Sequence, residues 1–239
     1  MEERYAVYYR NLYERHWWWR AREDVILQTL LRLRPEQGWG HILDVGCGDG
    51  LFLPKLAELG DVEGIEMDPA GVNPANPWLP RIHIRPFDET FQPGKRYRLI
   101  TMCDVLEHFP DPVRRLKLAL SLLEPEGTLL ITVPSFRWLW TTHDTLNRHY
   151  TRYTRRRLAE EAHEAGGRLA ESRYLFQWMV PLKLAVKLKE AVLRSAPENP
   201  PIPGPVINGI LYRMARTEER LLRGSRLPIG SSLIAVVKP

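Results

Sequence analysis

Cysteine is the scarcest useful signal in this chain of 239 residues, which holds only Cys47 and Cys103. Two widely separated thiols exclude a disulfide framework and a CxxC metal site, and they suit a reducing compartment. Long apolar runs are also missing. The longest uncharged apolar stretch, around Tyr174 to Leu182, falls well short of the roughly 18 residues that a membrane span needs. The opening Met1-Glu2-Glu3-Arg4 lacks the basic and apolar regions of a secretory leader, so a cytoplasmic protein is expected. No internal repeat is visible. Apolar residues at 44% and charged residues at 26% exclude a disordered chain and allow one α/β domain with an appendage.

Acidic charge is in deficit, and the net charge is +5. One basic cluster comprises Lys183, Lys187, Lys189, Arg194, Arg213, Arg216, Arg220, Arg223 and Arg226. A second comprises Arg148, Arg152, Arg155, Arg156 and Arg157. Such surfaces meet RNA, an anionic membrane or a phosphorylated substrate, or they are solvated helix faces.

From Trp39 onward, strand-like and helix-like segments alternate. Strands are expected at 42–45, 62–67, 82–84, 99–103, 128–133, 169–176 and 233–237, with helices at 51–59, 112–123 and 155–165. A turn at Glu124–Gly127 is expected to stop one helix and open the next strand. This alternation predicts a parallel sheet covered on both faces. Two segments stand outside it. Residues 1–38 read as helical, with Tyr5, Tyr9, Tyr13 and Trp17 on one stripe, forming core packing or a lid. Residues 177–228 hold an amphipathic run, a proline-rich connector at 197–205 and a second helix from Val206.

The glycine turn Asp44-Val45-Gly46-Cys47-Gly48-Asp49-Gly50 follows a strand and precedes a helix, where backbone N–H groups lie open to a ligand. The third glycine of the dinucleotide fingerprint is absent, since Leu51 takes its place. The Lys-Ser/Thr of a P-loop is absent too. What is present, D-x-G-x-G-x-G, resembles the first motif of the class I S-adenosylmethionine (SAM)-dependent methyltransferases. About 20 residues after Gly46, where a ribose-binding acid stands in such sheets, comes Glu66; a carboxylate there accepts from both ribose hydroxyls and repels a 2′-phosphate. Met67 would pack beside the adenine, and Asp88 would accept from its amino group. Asp44, Gly46, Cys47, Gly48, Gly50 and Cys103 complete the expected cofactor-binding set.

Further motifs narrow the resemblance. Asp104-Val105-Leu106-Glu107-His108 and Ile131-Thr132-Val133-Pro134 are similar to the fourth- and fifth-strand motifs of small-molecule methyltransferases related to quinone-biosynthesis enzymes. His16-Trp17-Trp18-Trp19-Arg20, Trp138-Leu139-Trp140 through Arg152-Tyr153, and Pro228-Ile229-Gly230-Ser231-Ser232-Leu233 resemble a bacterial subgroup of uncertain substrate. The resemblance implies a Rossmann-like, doubly wound seven-stranded sheet in the order 3-2-1-4-5-7-6, the last strand antiparallel. Within a single methyltransferase domain, 1–38 is then an N-terminal helical lid, 39–176 and 229–239 the SAM-binding core, and 177–228 a helical insertion before the last strand.

Methyl transfer from a sulfonium needs positioning and exclusion of water more than covalent help. A hydroxyl acceptor also needs a base, for which His108 is the first candidate and His143 the second; His16 and His149 are weaker. Glu107, Asp144 and His143 are chemically adequate for a divalent metal, but their spacing gives no support, so no metal is expected. The expected function is methylation of a small or lipid-like acceptor at oxygen, with S-adenosylhomocysteine as product and peripheral membrane contact through 179–194. The alternatives are an RNA or DNA methyltransferase and a non-catalytic SAM-binding protein. Against nucleic acid, the fourth strand lacks the Asn/Asp-Pro-Pro-aromatic motif, and neither cysteine is placed for cytosine chemistry. Acceptor and oligomeric state are not legible.

Overall fold

The computed structural model describes residues 10–193, 201–225 and 227–239. Tyr5 and Tyr9 of the aromatic stripe, Arg194, Arg226 and the start of the proline-rich connector lie outside the described residues. Residues 10–15 are helical, and α1 follows at Trp17–Leu33. Seven strands then form one sheet: β1 (His41–Val45), β2 (Asp61–Glu66), β3 (Ile82–Ile84), β4 (Tyr97–Cys103), β5 (Leu123–Pro134), β6 (Arg168–Leu175) and β7 (Ser232–Lys238). Between them lie α2 (Leu53–Ala57), α3 (Pro112–Leu122), α4 (Thr142–Leu146), α5 (Arg155–Glu164), α6 (Met179–Leu193) and α7 (Pro205–Leu222).

The strand order is β3-β2-β1-β4-β5-β7-β6. β1 pairs parallel to β2, and β2 to β3. β7 runs antiparallel to both β5 and β6. Order and sense are those the resemblance implied. Ile42, Leu43 and Val45 are all buried, the pattern of a strand covered on both faces. One difference from expectation concerns Glu124–Gly127, which belongs to the start of β5 and is not a free turn. Gly127 is nonetheless required, because a Cβ there would lie 2.8 Å from the Glu124 carbonyl oxygen.

Two compact units divide the chain. One takes the described part of Met1–Thr101, Leu122–Gly127 and Ile202–Arg223. In it α7 packs on α1: the Asn208 side chain accepts from Trp17 N–H at 2.8 Å and donates to the Arg15 carbonyl at 2.7 Å. Farther along, the Tyr212 hydroxyl donates to Asp24, which also pairs with Arg216, and the Arg20 guanidinium lies over the Tyr212 ring. The second helix of the 177–228 insertion is therefore a partner of the N-terminal helix. The other unit takes Met102–Ser121, the described part of Thr128–Pro201, and Gly224–Pro239. It contains β5 from Thr128 onward, β7 and β6, with α3 to α6.

Most of the second basic cluster is committed within this unit. Arg152 is buried against Asp144, Arg155 lies over Tyr174, and Arg156 and Arg157 pair with Glu160 and Glu161 one helical turn on. That placement favours structural use over an anion-binding surface.

Candidate active site

In the first unit, three glycines shape the turn after β1. Gly46, Gly48 and Gly50 have φ of 70°, 54° and 66°, a region that side chains with a Cβ rarely occupy. A Cβ built at Gly48 would meet nothing within 4 Å, so the main chain there is open to approach. The Glu66 carboxylate, at the end of β2, accepts from Gly48 N–H at 2.9 Å through Oε2 and from Asp68 N–H at 2.9 Å through Oε1. Acid and glycine turn, predicted separately, are thus joined directly, and each carboxylate oxygen keeps a lone pair for a further donor. Asp49 braces the turn from outside, accepting from Asn73 N–H and the Asn76 amide and pairing with Arg10.

Asp44, next to last in β1, is buried, and its Oδ1 accepts from the Thr101 hydroxyl at 2.6 Å. Burial pushes this carboxyl up to about 7, against the pull of the Thr101 hydrogen bond and the Arg22 guanidinium. Neither Thr101 nor Arg22 was singled out from sequence. Both are buried; Thr101 could have been found as a polar residue inside the apolar run Leu99–Cys103, whereas Arg22, flanked by Arg20, Glu23 and Asp24, carries no such signal. The Cys47 side chain faces Gly64 on β2, where a Cβ would lie 2.4 Å from its Sγ. Burial raises the Cys47 thiol, and Asp44 and Glu66 raise it further, so this cysteine packs and is no nucleophile. Met67 is 65% exposed beside Glu66. Asp88 accepts from the backbone and hydroxyl of Thr90.

In the second unit, Cys103 ends β4 half-buried, and the next residue, Asp104, has φ of 55°. A 3₁₀ turn at Leu106–His108 follows, with Glu107 fully buried. The Glu107 carbonyl accepts from Tyr150 N–H at 2.8 Å, which brings the 149–150 segment alongside. The His108 and His149 rings meet edge to face with centroids 4.7 Å apart. His108 is exposed at one edge, yet desolvation by the groups packed around its ring lowers it to about 4; His149 nearby lowers it further, while a hydrogen bond from its ring to the backbone of Asn147 works the other way. His143 is also lowered to about 4, by burial and then by Lys183, and its ring meets the Asn147 side-chain amide. The two first-choice histidines therefore flank one residue, Asn147.

Asp144 is no free carboxylate. It caps α4 by accepting from Thr141 N–H, and it accepts from Arg152 at 2.8 and 2.9 Å and meets His149 Nδ1 at 2.9 Å. Burial would raise it, but the bonds from His149 and Arg152 hold it well below the usual carboxylate range. The trio Glu107, Asp144 and His143 consequently does not form; the groups that gather are Glu107, His108 and His149. His16 has a structural role as N-cap of α1, accepting from Trp18 N–H, and burial lowers it to about 4. Lys183, read as a surface lysine, is half-buried, and burial lowers it to about 8.

A seven-stranded sheet with an antiparallel seventh strand, a glycine turn after its first strand and an acid ending its second define a class I SAM-dependent methyltransferase. A family model described as a methyltransferase domain matches residues 18–172, and the chain belongs to that family. It is 29% identical over 215 residues to the ubiquinone biosynthesis O-methyltransferase of Xanthomonas campestris pv. campestris, covering 83% of this chain and 76% of the relative. It is 29% identical over 120 residues to the enzyme of that name from Coxiella burnetii, covering 47% of this chain and 46% of the relative. The chain thus spans about half the length of the latter. A SAM-dependent methyltransferase structure from Archaeoglobus fulgidus shares the fold, with a TM-score of 0.58 at 16% sequence identity over 91% of this chain and 94% of that one.

Proposed function

We propose that this chain is a SAM-dependent methyltransferase acting on an oxygen atom of a small or lipid-like acceptor. The observation that carries the cofactor half is the bond from Gly48 N–H to Glu66, at a turn where Gly48 leaves open space. A nucleoside with a free diol fits that arrangement, because a carboxylate accepts two hydroxyls and glycine admits close approach. Glu66 would hold the ribose, Met67 and Asp88 the adenine, and Asp44, Gly46, Cys47, Gly48, Gly50 and Cys103 the remainder of SAM. Arg22, buried beside Asp44, suits the cofactor's carboxylate. When bound, SAM supplies a methyl group already activated on a sulfonium.

The acceptor half rests on the relatives' name, which specifies an O-methyltransferase, and on the polar cluster after β4. His108 and His143 would face the acceptor hydroxyl, both uncharged near pH 7. On α6, Leu182, Leu184, Val186, Leu188 and Val192 are exposed among lysines, which supports docking of 179–194 on an anionic bilayer. No helix among the described residues is long and apolar enough to cross one. Flotation with anionic liposomes at low salt should carry the protein upward; a wholly unbound protein would overturn the docking.

The reaction is tested by following S-adenosylhomocysteine release from SAM by mass spectrometry with phenolic quinone precursors and with RNA. Acceptor-dependent release with an O-methylated phenol is expected. Release with RNA alone, or none with any phenol, would overturn this reading.

A further inference from the structure

We propose that α7 is a dimer interface, pairing in parallel with the same helix of a second copy of this chain. Ile207, Ile210, Met214, Thr217 and Leu221 follow one another at intervals of three, four, three and four residues, the a and d spacing of a coiled-coil seam. All five are exposed, the four apolar ones by 44–76%. Core packing uses a different side of the helix. Asn208, Ala215 and Glu219 are the buried residues there, and Asn208, Tyr212 and Arg216 hold α7 to α1.

Width and charge select the occupant. The apolar stripe is narrow, with Arg213 and Arg220 along one edge and Glu218 along the other. A helix lying on a bilayer presents a broader apolar face, whereas a strict a/d stripe suits one partner helix. In the heptad frame Val206, Arg213 and Arg220 stand at g, and Leu211 and Glu218 at e. In a parallel pair each g residue meets the e residue five positions on in the other helix. Arg213 then faces Glu218 of the second copy, twice by the two-fold symmetry, and Val206 faces Leu211. Antiparallel pairing would instead set Arg213 against Arg213, so charge complementarity selects the parallel arrangement.

Packing on α1 already holds α7 in helical form, so association does not have to order the segment. The seam is short, and Thr217 is a polar residue at a d position, which lowers affinity. The dimer is therefore expected to exchange with monomer at micromolar concentrations. The interface depends on α7 alone and holds whatever acceptor the enzyme takes.

The test is sedimentation velocity of the full chain over a range of concentrations, with circular dichroism confirming that each variant is folded. A monomer–dimer equilibrium is expected, at least tenfold tighter in Thr217→Leu and at least tenfold weaker in Met214→Lys. Arg213→Glu and Glu218→Arg should each weaken it several-fold, and the two together should restore the parent's affinity. Leu188→Lys, which alters an exposed residue of α6, should dimerise as the parent does. A parent chain that remains monomeric, a dimer indifferent to Met214→Lys, or a doubly charge-reversed variant that stays weak would each overturn the proposal. So would loss of the dimer in Leu188→Lys, which would move the interface to α6. A monomer that floats with phosphatidylglycerol vesicles and ceases to in Met214→Lys would give this face to a bilayer and overturn it too.

Discussion

Replacing Asp44 by Asn should stabilise the protein at alkaline pH and leave it unchanged in acid. The carboxyl rises from 3.8 to about 7 on folding, chiefly through burial. A group whose folded pKa is raised contributes stability that is complete below its unfolded pKa. That contribution is lost as pH climbs from about 4 through about 7. A shift of roughly 3 units at 1.36 kcal/mol each amounts to about 4 kcal/mol by pH 8. Asparagine carries no charge to desolvate, and its carbonyl oxygen still accepts from the Thr101 hydroxyl, so the hydrogen bond persists while the cost disappears. Urea unfolding of both proteins should give matching free energies near pH 4 and a variant more stable by about 2–4 kcal/mol at pH 8. Other ionisations cancel in the difference between the two proteins. The same variant should bind S-adenosylhomocysteine less well, the exchange of stability for function expected at a binding site. Equal stability difference at both pH values would refute the reasoning, because it would mean that Asp44 does not carry a buried charge.

Other perturbations probe separate parts of the molecule. Glu66→Ala should weaken S-adenosylhomocysteine binding at least tenfold by calorimetry, since charge-assisted hydrogen bonds contribute about 1.5–3 kcal/mol; unchanged affinity would mean the ribose sits elsewhere. Arg152→Met leaves the fully buried Asp144 without its main cation and should cost about 3–5 kcal/mol in urea unfolding. Gly64→Ala drives a methyl group into Cys47 Sγ and should cost about 1–3 kcal/mol, part of which Cys47→Ala should return. Asp61→Asn, by contrast, breaks only exposed pairs with Arg81 and His41 and should change stability by less than about 1 kcal/mol.

The parts legible in the sequence are those dictated by local backbone demands. Gly46, Gly48 and Gly50 advertise positive φ, Pro112 opens a helix, and runs such as Ile42-Leu43 mark strands buried on both faces. Glu66 was legible because parallel strands return an acid to the glycine turn at a nearly constant distance along the chain. What escaped depends on long-range pairing. His149 reaches Glu107 through a backbone bond from Tyr150, and no spacing rule connects those positions. Asp144 looked like a free acid because its cap at Thr141 and its bond to Arg152 emerge only on folding. Helix α7 looked like the continuation of the insertion, yet Asn208 and Tyr212 tie it to α1. Lys183 looked like a surface lysine on an amphipathic helix, and its half-burial turns it from a membrane contact into a neighbour of Asp144 and Glu190.

The central claim, that the glycine turn and Glu66 hold the methyl donor, is tested most directly by calorimetric titration of S-adenosylhomocysteine into the unmodified chain. One saturable site per chain is predicted, abolished or weakened at least tenfold by Glu66→Ala in a variant that remains folded. A folded chain giving no saturable heat would contradict it.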